Sequence, residues 1–210
     1  MAGKRWISVS GEGEATVAPD MAVVTMAVSA KGRDLAPTRD DVNTRTSAVL
    51  ARLRELGVAD ADLQAPDVEI QPEYDYRRDA QKLIGYRVSR SVTARVRALD
   101  TLGDVLDAVS VAGANEVHGA RMAASDPSAA EHAALASAVA AARASAEAIA
   151  SAAEVTLGGV IRVEEAERMD LPRGMMRMSA MAESADVPTE VAAGELTVRR
   201  TVRAWFGIDA

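Results

Sequence analysis

The stretch Gly85 to Gly119, GYRVSRSVTARVRALDTLGDVLDAVSVAGANEVHG, leaves few folds open, because it holds a strand, a capped helix and the start of another strand with almost no loop. Tyr86, Val88, Val92, Ala94 and Val96 alternate on one face, with Arg90 as the exception. Arg87, Ser89, Ser91, Thr93, Arg95 and Arg97 take the other face. Asp100 or Thr101 is placed to cap the next helix, whose apolar positions are Leu102, Val105, Leu106 and Val109. Gly113 stands where a left-handed residue closes that helix, since it has no Cβ to clash. None of these residues forms a catalytic pattern.

The flanking segments extend the same alternation. Trp6 to Val17 reads as a strand interrupted by Gly11 and Gly13, which mark a bulge or a close backbone approach. After the turn signal Ala18-Pro19-Asp20, Met21 to Ala30 reads as a second strand, and the two runs are expected to pair as a hairpin. Asp34 is placed to cap a helix with the stripe Val42, Thr46, Val49, Leu53 and Leu56, ended by Gly57. Val68, Ile70, Pro72, Tyr74 and Tyr76 form another period-two face, with Pro72 pointing to an edge or a bend. Val117 to Ala124 completes a short strand. From residue 21 to 124 the order is strand, helix, strand, strand, helix, strand, that of a ferredoxin-like βαββαβ unit. The expected class is α+β, with helices on one face of a mainly antiparallel sheet.

Pro127 to Ala153 is rich in alanine, the best helix former, and Ser128 with Glu131 fits a capping box. Leu135, Val139, Ala142, Ala146, Ile149 and Ala153 would form its seam, against the protein's own sheet or against a second subunit. Gly158 to Glu165 reads as a strand, and a last strand opens at Gly194. Between them, residues 168–193 have no period and read as a flexible, methionine-rich insertion within one domain spanning 1–210.

A formal net charge of -7 argues against general nucleic-acid binding, which needs a basic footprint. The absence of cysteine excludes disulfides, thiol nucleophiles and thiolate metal sites. No apolar run reads as long enough to span a membrane, and Met1 to Ile7 does not read as a signal peptide, so a cytoplasmic location is expected. Gly11-Glu12-Gly13 lacks the third glycine and the following helix of a dinucleotide fingerprint. His118 and His132 lie on different elements, without metal-ligand spacing.

Two groups of residues carry functional readings. Arg87, Arg95, Arg97, Arg199 and Arg203 would make an interaction surface for anionic groups or a partner if their strands shared a sheet face; the alternative is a solvated face balanced by Glu69, Glu73 and Asp75. Met175, Met176, Met178 and Met181 offer thioethers for Cu(I) or for reversible oxidation; the alternative is an adaptable contact loop.

Seven short stretches in order resemble the SIMPL domain family. They are Val9-Ser10-Gly11-Glu12-Gly13, Val17-Ala18-Pro19-Asp20, Leu56-Gly57-Val58, Pro72-Glu73-Tyr74-Asp75-Tyr76, Gly85-Tyr86-Arg87-Val88, Gly113-Ala114-Asn115-Glu116-Val117 and Gly194-Glu195-Leu196-Thr197-Val198. The resemblance implies an α+β fold and frequent assembly into large oligomers. It implies bacterial relatives that are often periplasmic or at the cell surface, among them an immunogenic protein and oxidative-stress defence proteins, and an animal branch of signalling adaptors. It brings no catalytic residues and no cofactor. The expected function is therefore a non-enzymatic protein that self-assembles from dimers, with a stress-related or scaffolding role. The alternatives are a methionine-loop redox or copper-handling protein, and a protein–protein adaptor using the arginines.

Overall fold

The computed structural model describes residues 5–66, 68–75, 82–166 and 194–209. In chain order its elements are β1 (Trp6–Val17), β2 (Met21–Gly32), α1 (Leu35–Glu55), β3 (Leu63–Gln64), β4 (Val68–Asp75), β5 (Lys82–Val96), α2 (Leu102–Ala112), β6 (Glu116–Ala123), α3 (Ser128–Ala152), β7 (Thr156–Glu165) and β8 (Leu196–Asp209). The described residues fall into two compact units, one built from β2 to β6 with α1 and α2, the other from β1, α3, β7 and β8.

The first unit has the strand order β3-β5-β2-β6, with β4 also on β5, and every pair is antiparallel. Counting β3 and β4 as one position, this is the arrangement expected of the βαββαβ order. The two helices cover one core. Val42, Val49 and Leu53 from α1 and Leu102, Val105 and Val109 from α2 are fully buried with Val24, Met26, Val28, Val88 and Val92 of the sheet. Each such side chain removed from water contributes about 1.5–3 kcal/mol. Leu106 is only partly buried beside them. Thr46 lies in the buried stripe because its hydroxyl donates to the Val42 carbonyl at 2.7 Å, which leaves no orphan polar atom.

In the second unit β8 is central, flanked by β1 and β7, again all antiparallel. The hairpin expected between β1 and β2 does not form. Both edges of β2 are taken, by β5 and β6, so β1 pairs with β8 in a different sheet. Nor is there a bulge at Gly11 or Gly13: the ladder with β8 runs unbroken from Trp6↔Gly207 to Val17↔Leu196. The glycines permit close approach instead. A Cβ on Gly11 would stand 2.2 Å from the Ala138 carbonyl oxygen, and one on Gly13 would stand 2.1 Å from that of Ala134.

This contact also shifts the expected face of α3. The buried positions are Ala130, Ala134, Ala138, Ala142, Ala146 and Ala150. Val139 and Ile149 are 41% and 46% exposed, because only a methyl-sized side chain fits between two backbones so close. Of the expected seam, Ala142 and Ala146 are buried and Leu135 is partly so. By length and mean hydropathy, 1.3, α3 could cross a bilayer, contrary to the expectation that no run is long enough; its alanine face is packed with Val9, Val202, Ala204 and Phe206.

The caps differ from their sequence signals. Asp34 stands at the N-cap of α1 with no side-chain cap bond; its carbonyl accepts from the Thr38 hydroxyl at 2.8 Å. A single turn of 3-10 helix, Leu99–Thr101, leads into α2, and neither Asp100 nor Thr101 caps it through a side chain. In α3 the capping box is replaced by Asp126, whose Oδ1 accepts from the Ser128 N–H at 3.0 Å. Gly113 ends α2 at φ +125, as its position predicts.

Candidate functional site

The five arginines are not brought onto one sheet. Arg87, Arg95 and Arg97 lie on β5, and Arg199 and Arg203 on β8, which belongs to the other sheet. Four of them have identifiable contacts. Glu73 Oε1 accepts from Lys31 Nζ at 2.6 Å and lies 3.3 Å from Arg87 Nε. The Lys31 bond, helped by Arg87, holds the Glu73 carboxyl below the usual carboxylate range. Arg97 grips Asp62 in a two-point fork, Nε to Oδ2 at 2.7 Å and Nη2 to Oδ1 at 2.9 Å. That fork lowers the Asp62 pKa against the opposing effect of burial and raises that of Arg97; the charge of Arg95 adds to the lowering. Arg199 pairs with Glu14. Arg203 lies over the Trp205 ring, 5.7 Å from its centroid, and Arg162 lies over the same ring at 5.2 Å.

Two arginines on helix-facing positions are structural anchors. Arg90, the exception in the β5 alternation, donates to the carbonyls of Ala65 and Pro66 at 3.1 and 3.2 Å and to the Asn43 side chain at 3.4 Å. Arg200 is its counterpart on β8, with a side chain 12% exposed, 2.6 Å from Glu131 and 3.3 Å from Glu165. Sequence reasoning passed over Arg200, although it breaks an apolar alternation as Arg90 does.

A second polar cluster joins α1, β2 and the start of β6. The Asn115 side chain accepts from the Ser29 N–H at 2.8 Å and donates to the Ser29 carbonyl at 3.0 Å, standing in for a ladder partner. The Ser29 hydroxyl donates to Glu116 at 2.6 Å. Arg45 reaches from α1 to the carbonyls of Gly113 at 2.7 Å and Ser29 at 3.3 Å. Asp20 is similarly used: it accepts from the Ser125 N–H at 2.7 Å and from its hydroxyl, and these bonds hold its carboxyl low. All of these contacts tie neighbouring segments of the protein to one another through side chains.

Exposed apolar side chains group on the β4–β5 edge and on β7. The ladder between β2 and β5 ends at Gly32↔Tyr86, so, among the described residues, 82–85 of β5 pair only with β4. The resulting two-stranded arm exposes Tyr74, Leu83 and Ile84, each between 37% and 49%; Ile70, at 41%, lies on the same edge strand opposite Val88. As the proline predicted, β4 is an edge strand. Among the described residues no group of three or more His, Cys, Asp or Glu is placed to hold a metal, and His118 and His132 are exposed on β6 and α3. Met175, Met176, Met178 and Met181 lie outside the described residues, as does all of 168–193.

These features define an α+β protein whose polar clusters brace its own frame and whose strands carry much of its exposed apolar surface. The chain belongs to the SIMPL family, described as a protein of unknown function (DUF541), which it matches over residues 7–206. It is 35% identical over 211 residues to the 26 kDa periplasmic immunogenic protein of Brucella abortus strain S19, covering 96% of this chain and 84% of that one. It is 32% identical over 181 residues to the uncharacterized protein YggE of Edwardsiella ictaluri, covering 86% and 76% respectively. With YggE of Escherichia coli K12 the identity is 29% over 123 residues, 59% of this chain and 50% of the relative.

Proposed function

We propose that this protein is a non-enzymatic, self-assembling scaffold of the bacterial periplasm, serving a stress-related or structural role. The observation that carries the reading is the β4–β5 arm. A two-stranded ribbon is marginal in water by itself, yet this one holds three half-exposed apolar side chains, Tyr74, Leu83 and Ile84, at its free end. Covering them with a second copy removes that cost. The periplasmic location is taken from the printed name of the Brucella relatives. The polar clusters support the same reading, since each bonds to the protein's own backbone or to a paired side chain.

Native mass by sedimentation tests the proposal. The wild type is expected to be oligomeric, and Leu83→Glu with Ile84→Glu is expected to shift it toward smaller species while leaving the helical spectrum intact. A wild type that is monomeric at every accessible concentration overturns the reading.

A further inference from the structure

Among the described residues the two sheets present four edges, and their chemistry differs. The β4 edge carries Pro72, which has no N–H to offer, and a register shift between Glu73 and Tyr74. The β6 edge is broken in mid-strand by a shift at Thr25/Met26, opposite Gly119. The β1 edge lies beneath α3, whose backbone touches Gly11 and Gly13. If β1 paired with the β1 of a second copy, two helices would stand over strands about 5 Å apart, well inside the roughly 8–10 Å that packed helices need. That leaves β7. Its irregularities are confined to Leu157–Arg162, and Arg162 to Glu165 pair regularly with Trp205 to Val202. Val160, Ile161 and Val163 are 59%, 50% and 44% exposed, an apolar edge of the kind that natural strands rarely leave open.

We infer that β7 is the pairing edge for a second copy of this chain, antiparallel about a two-fold axis at Val163, giving a continuous six-stranded sheet. The backbone phase fits. The Ala166 N–H donates to the Thr201 carbonyl at 2.9 Å, so even-numbered residues at this end of β7 bond to β8. The N–H and C=O groups of Val163 and Glu165 then point outward. Charge selects the register. With Val163 opposite the partner's Val163, each Arg162 falls opposite a Glu164. Shifting the axis to Arg162 sets arginine against arginine, and shifting it to Glu164 sets carboxylate against carboxylate. The helices do not interfere, because the backbone of α3 sits closest to Gly11 and Gly13 of β1, the strand at the opposite edge of this sheet from β7. The inference rests on the self-assembly proposed above and names a different surface for it.

Two substitutions test it on the full chain. Val163→Pro removes an outward N–H and leaves the β8 ladder intact; it is expected to weaken self-association by about tenfold or more, with the thermal midpoint close to wild type. The chain has no cysteine, so Val163→Cys introduces its only thiol. Mild oxidation should convert Val163→Cys to a covalent dimer, since paired Cα atoms roughly 5.5 Å apart suit a disulfide. Ile161→Cys should not cross-link, because the two copies would stand four residues apart along the strand. An oligomeric wild type unaffected by Val163→Pro, or equal cross-linking at positions 161 and 163, overturns this inference and leaves self-assembly through the arm standing. A monomeric wild type overturns both. If Val163→Pro fails to fold, the pair of cysteine variants decides alone.

Discussion

Gly13 shows how a single hydrogen atom in place of a methyl group fixes the packing of a 25-residue helix. Its absent Cβ is the space occupied by the Ala134 carbonyl and the Ala138 N–H, 2.1 and 2.3 Å away. Backbone on both sides cannot rotate out of the way as a side chain could. Gly13→Ala is therefore expected to destabilise the fold by about 3 kcal/mol, the upper range for overpacking. Gly159→Ala, which adds its methyl to open space, should be close to neutral; equal loss in urea melts of the two variants would contradict the close-approach account. Asp62 makes a different kind of prediction. Its folded carboxyl titrates below the ordinary 3.8, so the unfolded chain binds the proton more readily. Its contribution is complete above that ordinary value and disappears as pH falls through the lower folded one. Asp62→Asn should lower stability at neutral pH and flatten the acid limb of the stability profile, with Asp20, Glu73 and Asp126 supplying the remaining slope through their own lowered values.

At the scale of elements, what could be read from the sequence depended on which side chains carried the contact. The α1 stripe was legible because Val42, Val49 and Leu53 are large, and their periodicity is their burial. The α3 face was not, because the apolar residues Val139 and Ile149 point away from the sheet and the contact is made by alanines indistinguishable from those around them. The signal lay in another element, at Gly11 and Gly13. Strand pairing was legible where helices set the crossover, between β2 and β6, and illegible at the short link to β1, where a turn signal implied a hairpin that both occupied edges of β2 forbid. The arginines divided for the same reason: alternation places Arg87 and Arg199 on faces of strands, but only pairing says which strands share a sheet. The corrected α3 face has a direct test. Ala142→Leu should destabilise by about 1–3 kcal/mol, whereas Val139→Lys should be tolerated within about 0.5 kcal/mol. The reverse order in thermal melts would restore the seam read from periodicity.

For the whole molecule the decisive fact is that the buried residues form two clusters with none in common. One contains Val24, Met26, Val49, Leu53, Val92 and Val105; the other contains Val9, Ala138, Ala142, Val202, Ala204 and Phe206. The family match spans both units, and Pro19 to Ser125 lies in the first of them. Burial of apolar surface is the main stabilising term, and it acts within each cluster, so each sheet is expected to open with its own free energy. Leu53→Ala removes a fully buried side chain from the first cluster, at a cost of about 2–5 kcal/mol. Native-state hydrogen exchange should then quicken at the protected amides of β2 and β5 while those of β1 and β8 keep their wild-type rates. Phe206→Ala, in the second cluster, should do the converse. If either substitution accelerates both sheets by the same factor, the chain opens as one cooperative body, and the division between the clusters is one of packing only. The paired result also bears on assembly, because a second copy seated on β7 would slow the opening of β8, and that protection should fade on dilution.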